Sequence, residues 1–100
     1  MGNPRKLNEV FVLDDEGKRR IVKAGDLVGL LPPHKESATY ENFMAQEHYD
    51  FLKNWLGGEG PFTISWIGQW PCGRIMLYLK TERSEPGAYA NDFRYVETAR

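Results

Sequence analysis

The chain has 100 residues, 41% hydrophobic and 27% charged, which suits one domain with a core large enough to fold unaided and excludes a disordered polymer. With 13 basic and 14 acidic residues the net charge is −1, so no overall cationic excess draws the chain onto nucleic acid and only a local patch could. The single cysteine, Cys72, forbids an internal disulfide and fits a reducing, cytoplasmic setting; no apolar run reaches membrane-spanning length.

Residues 1–8, with Gly2, Pro4, Arg5 and Lys6, read as a loose leader with no signal-peptide core. Glu9-Val10-Phe11-Val12-Leu13 is a β-rich run. Asp14-Asp15-Glu16-Gly17 follows, then Arg20-Ile21-Val22-Lys23. An acidic cluster ending in glycine between two β-branched runs predicts a hairpin, because aspartate and glycine tolerate turn dihedrals. Ala24-Gly25-Asp26 makes another turn, and Leu27-Val28-Gly29-Leu30-Leu31 a third strand, ended by Pro32 and Pro33, which cannot donate to a ladder.

The period then changes. From Tyr40 the apolar residues fall at Phe43, Met44, Phe51, Leu52, Trp55 and Leu56, a three-and-four spacing that predicts an amphipathic helix over 40–56. Ser37 or Thr39 suits its cap, Glu36 and Glu41 suit its positive end, and Gly57-Gly58 ends it.

Residues 60–80 predict the central hairpin. Setting Gly68 opposite Gly73, with Gln69, Trp70, Pro71 and Cys72 as the loop, places Trp66 against Ile75, Ile64 against Leu77 and Phe62 against Leu79 on one apolar face. The second face then carries Ile67 with Arg74, Ser65 with Met76 and Thr63 with Tyr78. A polar loop spans 81–87, residues 88–92 show no clear period, and 93–97 form a last strand. The whole is a single α+β domain: a small antiparallel sheet or partly open barrel of about six strands with one amphipathic helix packed on it.

The Gly25-Asp26-Leu27-Val28 turn-into-strand, the hairpin over 62–79 and the short strand at 93–96 resemble small SH3-like β-barrel domains. The resemblance spans roughly residues 23–97, with the helix as an insertion after the Gly25-Asp26 strand. It implies a barrel closed by its terminal strand and a role in binding peptides or nucleic acid; the fold itself does not choose between them.

No stretch rises to a catalytic or cofactor signature, so the expectation is a non-enzyme without cofactor. Cys72 lacks any spacing that ties it to His34 or His48 and reads as a turn residue. Glu47 and His48 are adjacent, point about 100° apart on a helix and do not chelate one ion; the Asp14–Gly17 cluster lacks the alternating ligands of a calcium loop. Lys18, Arg19, Arg20 and Lys23 form the densest cationic run, but on a strand they divide between two faces, as in an edge guarded against aggregation. Trp70 differs from the other tryptophans. It sits at the hairpin tip before Pro71, where it either folds back on the sheet or anchors a partner, with Ile67, Met76 and Tyr78 on the adjoining face. The sequence therefore points to protein–protein contact through Trp70, Pro71, Ile67, Met76 and Tyr78, with a second copy of the chain among the partners. The alternative is nucleic-acid binding through the Lys18, Arg19, Arg20 and Lys23 hairpin.

Overall fold

The computed structural model describes residues 2–33, 45–82 and 84–96. Its elements are β1 (Arg5–Leu7), β2 (Val10–Leu13), β3 (Arg19–Val22), β4 (Leu27–Leu30), α1 (Gln46–Leu56), β5 (Phe62–Gln69), β6 (Ile75–Lys80), β7 (Gly87–Tyr89), the 3-10 turn η1 (Ala90–Asp92) and β8 (Phe93–Tyr95). The strands make one open sheet in the order β3-β2-β8-β4-β5-β6-β7, with β1 added on β5. Neighbours are antiparallel except β2 and β8, which meet in parallel at Leu13 and Arg94. Eight strands exceed the expected six or so. β1 lies in the expected leader and β7 in the stretch without a period; both have three residues, too few for alternation to show in sequence.

β5 is the spine. One edge pairs with β6; the other pairs with β4 through Phe62 and Thr63 and with β1 through Ile67, Gly68 and Gln69. Its inward residues Phe62, Ile64 and Ile67 join Val28 and Leu30 of β4, Leu77 and Leu79 of β6, and Phe93 in one core. The helix closes that core with Tyr49, Leu52 and Leu56.

The β2–β3 hairpin follows its sequence signal. Asp14 Oδ1 accepts the backbone N–H groups of Glu16 and Lys18, both at 2.9 Å, and Gly17 takes φ 80°. The bond from Lys18 leads the causes that hold the Asp14 carboxyl below its ordinary value.

The helix differs from expectation. It starts at Gln46 after Ala45, while Tyr40, Phe43, Met44 and the candidate caps lie outside the described residues. Glu47 in its first turn and Lys53 in its last suit the dipole, and Gly57 ends it at φ 82° with its N–H on the Lys53 carbonyl. Phe51 and Trp55, expected in the core, are 64% and 50% exposed. They sit about 100° round the helix from Leu52 and Leu56, so a stripe read as one broad face splits into a buried half and a flank. Trp55 is held on that flank, its Nε1 donating to the Gly87 carbonyl at 3.3 Å.

The central hairpin also shifts. Gly68 opposes Met76, Ile67 opposes Leu77 and Trp66 opposes Tyr78, so the expected register is displaced by three positions there, and Trp66 and Ile67 exchange faces while Phe62, Ile64, Leu77 and Leu79 keep theirs. The cause is the loop. The Gly73 N–H reaches the Trp70 carbonyl at 2.8 Å, the Trp70 N–H reaches the Arg74 carbonyl at 2.9 Å, and Gly73 takes φ 94°. Pro71, Cys72 and Gly73 thus form a three-residue loop, with Pro71 supplying the turn's first dihedral and Gly73 its left-handed residue. Trp70 and Arg74 are the closing pair, not Gly68 and Gly73. An irregularity between Ile64 and Trp66 takes up the extra residue, Ser65, and lets Ile64 and Ile67 both turn inward although they are three apart.

Two outcomes follow. Leu56→Ala should lower the unfolding free energy by about 2–5 kcal/mol, and Phe51→Ala by less than about 1 kcal/mol, in matched urea melts; equal losses would place the wrong face of α1 in the core. Separately, the Tyr49 hydroxyl bonds the Glu59 carboxylate, and that bond first, then burial and nearby carboxylates, pushes its pKa from 10.0 up to about 12. The folded chain thus keeps a proton that the unfolded chain loses above pH 10, so this contribution is whole below pH 10 and fades toward pH 12. The stability gap between the natural chain and Tyr49→Phe should narrow over that interval; a constant gap would refute the linkage.

Candidate functional site

The three-residue loop and the Ser65 irregularity decide which side chains leave the core. On the outer side of β5 and β6, Trp70 and Arg74 form the first row. Lys6, Gly68, Met76 and Tyr89 form the second, across β1, β5, β6 and β7. Trp66, Tyr78 and Gly87 form the third. This face gathers three of the residues expected to bind a partner, Trp70, Met76 and Tyr78, beside Pro71 exposed at the tip. It does not include Ile67, which the shifted register buries in the core at 1% exposure. Trp66, expected in the core, takes its place outside.

The rings are ordered by one another. Trp66 and Tyr78 stack across the strands with centroids 4.1 Å apart and planes 4° from parallel. Trp70 folds back instead of standing free: its Nε1 donates to Met76 Sδ and to the Tyr78 hydroxyl, each at 3.2 Å. Arg74 lays its guanidinium 4.8 Å from the centre of the Tyr89 ring. At the margins Arg5 donates to Gln69 at 2.9 Å, and the Ser65 hydroxyl bonds the Glu85 carboxylate.

Two glycines make room for this arrangement. A Cβ on Gly68 would lie 2.8 Å from Trp66 Cζ3, and one on Gly87 would lie 2.7 Å from Tyr78 Cε1. The rings therefore lean over bare backbone, as aromatic side chains do when they cover a glycine in a sheet. Such cover accounts for Trp66 and Tyr78 as parts of the fold. It does not account for Trp70, Met76, Arg74 and Tyr89, which extend the same surface to the hairpin tip and the edge strand while staying open to solvent in part.

The cationic run is divided. Arg19 lies 5.9 Å from the Phe11 ring on one side of the β2–β3 hairpin; Arg20 bonds Asp14 at 3.3 Å and covers the Tyr95 ring at 4.3 Å on the other. Lys18 meets Glu16 at 3.7 Å, and Lys23 is exposed. Cys72 is exposed on the loop, His48 Nε2 meets Asp92 at 3.1 Å, and His34 lies outside the described residues. Among the described residues no three of His, Cys, Asp and Glu converge as a metal site requires, and no helix is long and apolar enough to cross a membrane.

Trp66, Arg74 and Tyr89 are the members that sequence reasoning misses. Turn chemistry held the signal: proline and glycine at the first and third loop positions after Trp70 imply a Trp70–Arg74 closing pair, and the outer rows follow by counting.

The chain matches no protein-family model, no curated protein and no solved structure. The site's meaning therefore rests on its own chemistry.

Gly87→Ala tests the arrangement. Forcing a methyl group under the Tyr78 ring should cost about 1–3 kcal/mol in a urea melt and weaken the near-ultraviolet circular dichroism of the Trp66–Tyr78 stack. A silent substitution would show that the rings do not rest on that backbone.

Proposed function

We propose that this chain is a non-catalytic protein-binding domain whose contact surface is the outer face of β5 and β6, centred on Trp70, Met76 and Tyr78 and extended by Trp66 and Arg74. One observation carries the reading: tryptophan, tyrosine, methionine and arginine, the types enriched in the centres of protein interfaces, are collected on the side of the sheet away from the core, with Arg74 exposed and Trp66, Trp70, Met76 and Tyr78 only partly covered. Their order matters as much as their type. A stacked pair and an indole bonded to its neighbours lose little side-chain freedom on binding, which favours affinity. The SH3-like resemblance implies peptide or nucleic-acid binding by a closed barrel; the sheet here is open, so the reading rests on the face itself and not on that resemblance. Nucleic-acid binding through the β2–β3 hairpin is the weaker reading, because Lys18 and Arg20 already face carboxylates of their own turn.

The test is affinity capture from host extract with the natural chain and with Trp70→Ala, alongside sedimentation to register self-association. Trp70→Ala should weaken the captured contact, or self-association, by roughly tenfold or more. It should lower stability by only about 1–2 kcal/mol, since the indole is half-buried and makes two weak bonds. Equal capture by both chains would overturn the reading.

A further inference from the structure

The sheet has a seam. Between β2 on one side and the start of β6 with the end of β7 on the other lies an open cleft of about 1070 Å³, lined by residues that include Phe11, Arg19, Arg74, Ile75, Tyr89 and Asp92. That exceeds the roughly 300–1,000 Å³ of a typical small-molecule pocket. Two of its walls are strand edges, with η1, His48 and Leu31 lining the rest, and the phase of the strands' hydrogen bonds can be counted.

In β2, the Asp14 N–H bonds the Lys18 carbonyl, and the pairing with β3 continues without a break from Leu13 to Val10. Alternation along an antiparallel pair then turns the N–H and C=O of Val12 and Val10 toward β3, and those of Phe11 away from it, into the seam. In β6, the Leu79 N–H bonds the Pro86 carbonyl, so Leu77 and Ile75 also face the β7 side. β7 ends at Tyr89, opposite Met76, and the chain turns into η1 before it can pair with Ile75. The same alternation explains why the Gly87 carbonyl points outward and is free to take the Trp55 indole N–H. Among the described residues, the backbone groups of Phe11 and Ile75 thus meet the cleft with no partner.

The side chains state what would fit. Phe11 is 54% exposed, and Arg19 and Arg74 each lie over an aromatic ring at the rim, of Phe11 and of Tyr89. Against these two guanidiniums the cleft holds, among the described residues, one carboxylate, Asp92, and His48 Nε2 already meets it at 3.1 Å. We infer that the seam takes an extended, acidic segment of a partner protein, which adds a strand between β2 and β6, packs an apolar side chain by Phe11 and sets its carboxylates on Arg19 and Arg74. A second copy of this chain fits poorly, because of the two strands that end the sheet β3 would bring Arg19 and Arg20 against the same guanidiniums and β7, Gly87–Tyr89, carries no carboxylate. The seam shares Arg74 and Tyr89 with the edge of the aromatic face, but Phe11, Arg19 and Ile75 belong to the seam alone, so changes at Phe11 and Arg19 test it apart from that face.

The test selects a displayed random-peptide library on the purified full chain, then follows a selected synthetic peptide by amide hydrogen exchange. Selected sequences should carry aspartate or glutamate flanking apolar residues, and binding should slow exchange at the Phe11 and Ile75 amides. Arg19→Glu should weaken the peptide by roughly tenfold or more. Phe11→Pro, which deletes the seam-facing N–H but none of the bonds to β3, should weaken it too; if that variant misfolds, Arg19→Glu alone decides. Trp70→Ala should leave this peptide's affinity unchanged. The inference is overturned if no acidic sequences emerge or if bound peptide leaves both amides unprotected. It is also overturned if Trp70→Ala abolishes binding while Arg19→Glu does not, or if a single-stranded oligonucleotide protects those amides and the peptide does not.

Discussion

The closing pair of one hairpin governs both faces of this sheet. Because Gly73 takes a left-handed conformation after Pro71 and Cys72, the Trp70 N–H finds the Arg74 carbonyl, and each later pair of β5 and β6 follows by counting back. Moving that closing pair by an odd number of residues would send the side chains of one strand to the opposite face. Ser65 then supplies the second constraint. Without the extra residue there, Ile64 and Ile67 would point opposite ways, and one of them would leave the core. The aromatic outer face is thus the complement of a core requirement: once Phe62, Ile64, Ile67, Leu77 and Leu79 are inside, Trp66 and Tyr78 have only the outside left.

Where several residues repeat a signal, the sequence is readable; where one residue carries it, it is not. The β2–β3 hairpin was legible because Asp14, Gly17 and two β-branched runs agree, and the structure adds only that Asp14 itself ties the turn. The helix was legible from residue 46 on, yet which part of its apolar stripe is buried was not. Phe51 and Trp55 are as hydrophobic as Leu52 and Leu56, and burial depends on where the sheet ends beneath them. β1 and β7 were invisible because pairing with a long neighbour, more than any pattern of their own, makes them strands.

The candidate site was legible in half. Trp70 was singled out by its place in the loop beside Pro71, and Met76 and Tyr78 by lying outside the core in either register; the observed pairing adds Trp70 to their face. Ile67 entered, and Trp66 was left out, through the same error in the loop. Counting apolar residues favoured a loop that pairs two glycines, while the dihedral demand of a single glycine settled the true one. An apolar tally cannot detect such a demand, since a residue in the left-handed region contributes no burial.

The third neighbour of β5 has a consequence for the order of assembly. The β2–β3, β5–β6 and β6–β7 pairs join neighbours along the chain, whereas β1 reaches Ile67, Gly68 and Gln69 across the length of the domain. Closing so long a loop brings an entropy cost that three residues of ladder hardly offset until β5 is already in place. β8 closes a loop as long but is held on both edges, by β4 and β2, whereas β1 has β5 alone, so β1 is expected to dock late and fray early. Since Lys6 pairs with Gly68 across the ladder and Pro4 approaches the same glycine, fraying at this end would alter the footing of the aromatic face while leaving the core closed.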